Sequence, residues 1–211
     1  MGSNMTSPKN NMPPMSGICV YGFPESVRAS KYPMCVDIST LTDEVTPRVA
    51  SLGSSQAGSG NDQYLTGIVV QFDLTLTVKA WVEAERYHFL DFVSSQSTMH
   101  RITSFDLDTA YIEYVDPRVI EIMREKIAVY NRMKEDGADA DELAELLLGI
   151  LYTNPTGFRL TARMTSNYRQ LKTIYRQRRE HRLPEWRAMC RQIADLPHFR
   201  ELCLGGADEQ D

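Results

Sequence analysis

The run QFDLTLTVK constrains the fold most. Phe72, Leu74, Leu76 and Val78 alternate with Asp73, Thr75, Thr77 and Lys79. A period of two places the apolar side chains on one face and the polar ones on the other, the pattern of a half-buried strand. The surrounding stretch LTGIVVQFDLTLTVKAWVE, residues 65–83, is rich in β-branched and aromatic residues and reads as one strand. A strand of this kind belongs to a sheet whose apolar face must be covered.

Helical patterns supply the cover. DPRVIEIMREKIAVYNRMKEDG, residues 116–137, has Pro117 at its start, Gly137 at its end and an apolar stripe of Val119, Ile120, Met123, Ile127 and Met133. DADELAELLLGILY, residues 139–152, opens on an acidic turn and is also helical. WVEAERYHFLDFVSS, residues 81–95, reads as a helix bringing Trp81, Glu85, His88 and Phe92 together, with SSQSTMHRITS following as a loop. TNPTGFRLTARMTS reads as a turn and a short extended piece. A helix is expected from Ser166 to Glu180, and Pro184 fits the first turn of another, with Trp186, Met189, Cys190 and Ile193 inward. Residues 17–50 read as short strands and turns. The Gly/Ser stretch SLGSSQAGSGNDQ, residues 51–63, reads as an irregular, flexible loop. Strand and helices without regular βαβ alternation predict a mixed α/β or α+β fold, a sheet packed with long helices. The expected organisation is a tag and disordered arm over 1–16, a single domain over 17–205 and an acidic tail over 206–211.

Composition excludes several classes. The 211 residues carry a net charge of −5, are 42% hydrophobic and 24% charged, and suit one soluble domain. No apolar run reaches the roughly 18 residues that span a bilayer. The first residues, MGSNMTSPKNNMPPMSG, lack the apolar core of a secretory signal, so a cytoplasmic location is expected. Cys19, Cys35, Cys190 and Cys203 are scattered without a CxxC pair, which predicts free thiols and no metal site. An isoelectric point near 5.4 argues against broad nucleic-acid binding, and with it against an RNA-binding reading.

Within this acidic chain, NYRQLKTIYRQRREHRLPEWR is basic. Arg169, Lys172, Arg176, Arg178, Arg179, Arg182 and Arg187 face only Glu180 and Glu185. Most such runs are solvated helix faces. Arg178 differs, because it continues the apolar stripe of Leu171, Ile174 and Tyr175. A buried guanidinium needs a partner, whether a carboxylate, a phosphate or an anionic base.

Asn167-x-Arg169-x-Leu171 followed by Arg178 resembles the C-terminal signature of the flavin-dependent thymidylate synthases (ThyX), and the chain is similar to a divergent, phage-type branch of that family over roughly residues 65–200. In the family an Arg-His-Arg triplet and a Ser-rich loop precede this signature. With Ser97 on the loop serine, Tyr87-His88-Phe89 falls on the triplet and Met99 on the second loop arginine, with His100 and Arg101 just beyond. The resemblance implies a ThyX-like single domain that binds a pyrimidine nucleotide, dUMP. It implies substrate contacts from Gln96, Ser97, Asn167, Arg169 and Arg178, with Arg178 polarising the pyrimidine as the catalytic residue. It places His88, Asn167 and His181 at the cofactor, and sets Trp186 near the family's later Trp. The reaction it implies is methyl transfer to C5 of dUMP, giving dTMP, with FAD, NADPH and methylenetetrahydrofolate and without a cysteine nucleophile. It also implies a homotetramer. The replacement of two triplet arginines by Tyr87 and Phe89 keeps a second reading open, a non-catalytic nucleotide-binding or regulatory protein on the same scaffold.

Overall fold

The computed structural model describes residues 12–206. In chain order the elements are β1 (Met15–Tyr21), α1 (Phe23–Ala29), α2 (Pro47–Ser54), β2 (Val69–Thr77), α3 (Val78–Ala84), β3 (Asp91–Ser95), α4 (Thr98–Arg101), α5 (Pro117–Glu135), α6 (Ala140–Thr153), β4 (Arg159–Asn167), α7 (Tyr168–Arg178) and α8 (Pro184–Ala194). The strands form one sheet in the order β1-β2-β4-β3. β1 and β2 are antiparallel, with Met15 opposite Leu74 and Tyr21 opposite Val69. The side-chain pairs Gln71–Thr165 and Thr75–Thr161 advance along β2 as they retreat along β4, so this pair is antiparallel as well. The fold is the expected mixture of helices and sheet.

The chain divides into two compact units. One is built from Thr75–Val82 and Ser95–Thr161. Its core joins Ile102, Leu107, Tyr111, Met123, Ile127, Ile150 and Phe158. α5 starts where the Asp116 carboxylate accepts from Arg118 N and Pro117 fills the first turn, and it packs against α6. The other unit takes Pro13–Leu74, Glu83–Ser94 and the chain from Ala162 onward. Here α7 and α8 pack together and bury Tyr168, Leu171, Ile174, Trp186, Met189 and Ile193 completely. Tyr168 also donates to Pro197 O at 2.7 Å and meets Phe199 edge-on.

The cations of α7 tie α2 into this second unit. The last carbonyls of a helix have no partner within it. Lys172 Nζ donates to Gly53 O at 2.6 Å and Ser55 O at 2.8 Å, and Arg176 Nη2 donates to Ser54 O at 3.1 Å. Lys172 makes its third bond to Asp62 Oδ2 at 2.9 Å, and Asp62 Oδ1 accepts from Arg169 Nε at 3.0 Å. Lys172 and Asp62 are both buried. Gly53 also lets Leu202 and Tyr64 come close to α2: a Cβ there would run into Leu202 O and the Tyr64 hydroxyl.

Several expectations need correction. The strand stops at Thr77, whose hydroxyl accepts from Ala80 N and opens α3. The helix expected over 81–95 ends at Ala84, and residues 91–95 are strand β3. Phe89 turns the chain between them with φ 62°. The stretch 51–63 is not irregular throughout: 51–54 complete α2, and a 3₁₀ turn opens at Gln63. Residues 17–50 contain α1 and the start of α2 besides a strand, and Met15 and Ser16 lie in β1 rather than in an arm. The extended piece before α7 is a nine-residue strand. The tag at 1–11 and the tail at 207–211 lie outside the described residues.

Lys172→Ala is expected to destabilise the chain by about 1–3 kcal/mol in urea unfolding, because it removes one of the two cations on the buried Asp62 carboxylate and leaves Gly53 O and Ser55 O without their donor. Arg182→Ala, on the surface, costs about 0–1 kcal/mol. Burial pushes the Asp62 carboxyl upward, but the bonds and charges of Lys172 and Arg169 outweigh it and hold it below the usual value. A folded-state value below the unfolded one stabilises the fold above the unfolded value, about pH 3.9. That contribution falls away as pH drops through the folded value. Urea midpoints measured from pH 6 downward should therefore fall less steeply in Lys172→Ala than in the parent.

Candidate functional site

α7 owes its start to Asn167, the last residue of β4. Its backbone is extended, and its Oδ1 accepts from Gln170 N at 2.9 Å, an N-cap that satisfies one of the unpaired amides of the first turn. The helix then carries Arg178 inward at its far end, about 16 Å from Asn167 at 1.5 Å per residue. Arg178 is only 6% exposed.

Three side chains receive it. Nη1 lies 2.9 Å from Glu83 Oε2, in the last turn of α3. Nε donates to the Tyr87 hydroxyl at 2.7 Å, and that hydroxyl donates onward to Gln177 Oε1 at 2.9 Å. The guanidinium carbon stands 5.0 Å from the Trp186 ring centre and 5.5 Å from that of Tyr87, within cation–π range. His181 Nε2 approaches the same Glu83 oxygen at 3.2 Å, while its Nδ1 accepts from Leu183 N at 3.2 Å. Cys190 lies near Arg178. Burial pushes its thiol up to about 12, against the opposing pull of Arg178 and Arg191, so it is protonated at neutral pH and is no nucleophile.

Tyr87 also borders an open hollow of about 800 Å³ lined by Glu85, Tyr87, His88, Phe89, Leu90, Asp91 and Phe92. Phe89 and Phe92 are exposed, so the hollow offers aromatic faces beside two carboxylates. A second hollow is lined by Arg176, Gln177, Arg179, Glu180, His181 and Arg182. Arg178 lines neither. It turns to Glu83, Tyr87 and Trp186.

The structure thus brings Arg178, His181 and Trp186 together and places His88 on the hollow that Tyr87 borders. It sets Asn167 and Arg169 at the opposite end of α7, where both already serve the fold, one as a cap and the other against Asp62. Gln96 and Ser97 belong to the other unit. There the Gln96 amide donates to Thr161 O and its side chain accepts from Thr161 N, each at 2.9 Å, while Ser97 precedes α4 without capping it by its side chain. Sequence reasoning missed Glu83, which nothing in the pattern distinguishes from Glu85. It also missed Lys172, whose position one residue after Leu171 and three before Tyr175 borders the apolar stripe and was a usable signal. Among the described residues no group of three or more His, Cys, Asp or Glu could hold a metal ion, and no helix is long and apolar enough to cross a membrane.

No family profile matches the sequence, and no curated protein matches it either. Solved structures do match. A crystal structure of thymidylate synthase X (ThyX) from Helicobacter pylori with FAD and dUMP aligns with a TM-score of 0.62 at 12% identity, covering 93% of this chain and 100% of that one. A second structure of the same flavin-dependent enzyme, also complexed with FAD and dUMP, gives 0.59 at 12% identity over 89% and 94% of the two chains. At this identity the likeness is one of fold, and the fold of this chain is a divergent ThyX-like one.

Removing only the Tyr87 hydroxyl, in Tyr87→Phe, should lower stability by about 1.5–3 kcal/mol in urea unfolding, the range for a hydrogen bond to a charged group. Phe92→Ala, in the exposed part of the hollow, should stay within about 0.5 kcal/mol.

Proposed function

We propose that this protein binds a pyrimidine nucleotide of the dUMP class, with Arg178 as the residue that meets the base. The observation that carries this reading is the buried Arg178, held by an ion pair, a phenol and two aromatic faces at the position where the ThyX signature has its nucleotide arginine. The likeness of fold to proteins solved with FAD and dUMP supports it. A guanidinium fixed beforehand can polarise a ring carbonyl at no cost of reorganisation, an effect worth about 3–4 kcal/mol by analogy with oxyanion-hole donors.

In place of two arginines stand Tyr87, whose hydroxyl is committed to Arg178 and Gln177, and Phe89, which is exposed on a left-handed turn. The hollow they border carries Glu85 and Asp91, which repel a diphosphate. These residues do not fit the diphosphate of FAD. This favours the second reading within the same proposal, a nucleotide-binding or regulatory protein that does not transfer a methyl group. Flavin-dependent methyl transfer to C5 of dUMP is the alternative, supported by neighbours that hold FAD and dUMP together. Homo-oligomeric assembly also belongs to the proposal, supported by the exposed Ile122, Val129, Leu148 and Tyr152 of α5 and α6.

Calorimetry with dUMP tests the central reading. Arg178→Ala should weaken binding by about 2–5 kcal/mol, whereas Arg179→Ala, at an exposed position, should change it by about 0–1 kcal/mol. Equal small effects would mean that dUMP does not meet Arg178. FAD titrated by its fluorescence should bind weakly, and FAD retained in stoichiometric amount through purification would restore the methyl-transfer reading.

A further inference from the structure

Arg178 and His181 converge on Glu83. One oxygen, Oε2, stands 2.9 Å from Arg178 Nη1 and 3.2 Å from His181 Nε2. At the other edge of the guanidinium, Tyr87 holds Nε at 2.7 Å. A guanidinium is planar, so bonds at Nε and Nη1 fix both its place and its plane, and the Trp186 ring limits what rotation remains. His181 is fixed by the same carboxylate. Its Nδ1 accepts the Leu183 amide hydrogen, so the neutral ring carries its proton on Nε2 and aims it at Glu83.

We propose that Glu83 is a positioning residue of the nucleotide site, holding Arg178 in one orientation and His181 in one tautomer. This rests on the reading that Arg178 meets the nucleotide. The role requires a carboxylate. Both groups that approach Oε2 are donors, and an amide in its place would turn a neutral oxygen, or a third donor, toward them. Glu83 also counterbalances the Arg178 charge, so this guanidinium suits a polarised carbonyl edge better than a second full anion.

The test uses the full chain with Glu83→Gln, Glu83→Asp and Arg178→Ala, read by nitrogen NMR of the Arg178 Nε–H and the His181 ring and by dUMP calorimetry. In the parent, the Arg178 Nε–H exchanges slowly and His181 shows the Nε2–H tautomer. Glu83→Gln, with its far-UV dichroism unchanged, should speed that exchange, mix the tautomers and weaken dUMP about tenfold, or 1.4 kcal/mol. Glu83→Asp should restore part of each, a rescue that a merely space-filling residue would not show. Unchanged exchange, tautomer and affinity in Glu83→Gln, with Arg178→Ala crippled, would overturn the positioning role alone. Parent and Arg178→Ala binding dUMP alike would remove the nucleotide reading and with it the site that Glu83 serves. Should Glu83→Gln not fold, Glu83→Asp, which keeps the charge but shortens its reach, carries the same readouts, and exchange, tautomer and affinity all unchanged from the parent would overturn the proposal.

Discussion

A guanidinium taken out of water costs several kcal/mol unless charge and hydrogen bonds replace what water gave it. The Arg178–Glu83 pair is where this chain meets that cost. It draws the end of α7 to the last turn of α3, beside the Tyr87 hydroxyl that accepts from Nε and the Trp186 ring of α8 that faces the guanidinium. Removing either charge would leave the other stranded. The same pair decides what chemistry is available there, since an arginine that is already neutralised and locked acts as a directional donor rather than as an anion trap.

The rest of the basic segment follows the same logic. Its positive charge looks like a surface for a polyanion only while its partners are unknown. Lys172 and Arg176 cap the carbonyls that end α2, Arg169 pairs with Asp62, and Arg187 donates to His181 O and Arg182 O beyond α7. Much of the charge is spent on helix ends and one buried carboxylate. An acidic protein can therefore concentrate arginines in one helix without a nucleic acid to bind.

How far the sequence revealed this depends on the range of the interaction involved. Period-two alternation at Phe72, Leu74 and Leu76 is local, and those residues are fully buried on one face of β2. The stripe and caps of α5 are local too, as is Pro184 at the start of α8. The inward turn of Arg178 was legible because it breaks a polar pattern. Its partner was not, because Glu83 is far away in sequence and only the fold makes it differ from Glu85. The helix expected over 81–95 failed for a similar reason: DFVSS has no strong alternation, and it is β3 through its place beside β4 in the sheet. Asn167 shows the opposite hazard. A residue matching a signature serves here as an N-cap, so a motif position and a ligand contact are separate claims.

The most direct test is a crystal structure of the full chain soaked with dUMP. The pyrimidine ring is expected within hydrogen-bond reach of Arg178, with the Glu83 and Tyr87 contacts kept. Density for dUMP elsewhere, with Arg178 still enclosed by Glu83, Tyr87 and Trp186, would contradict it and leave the pair a structural element alone.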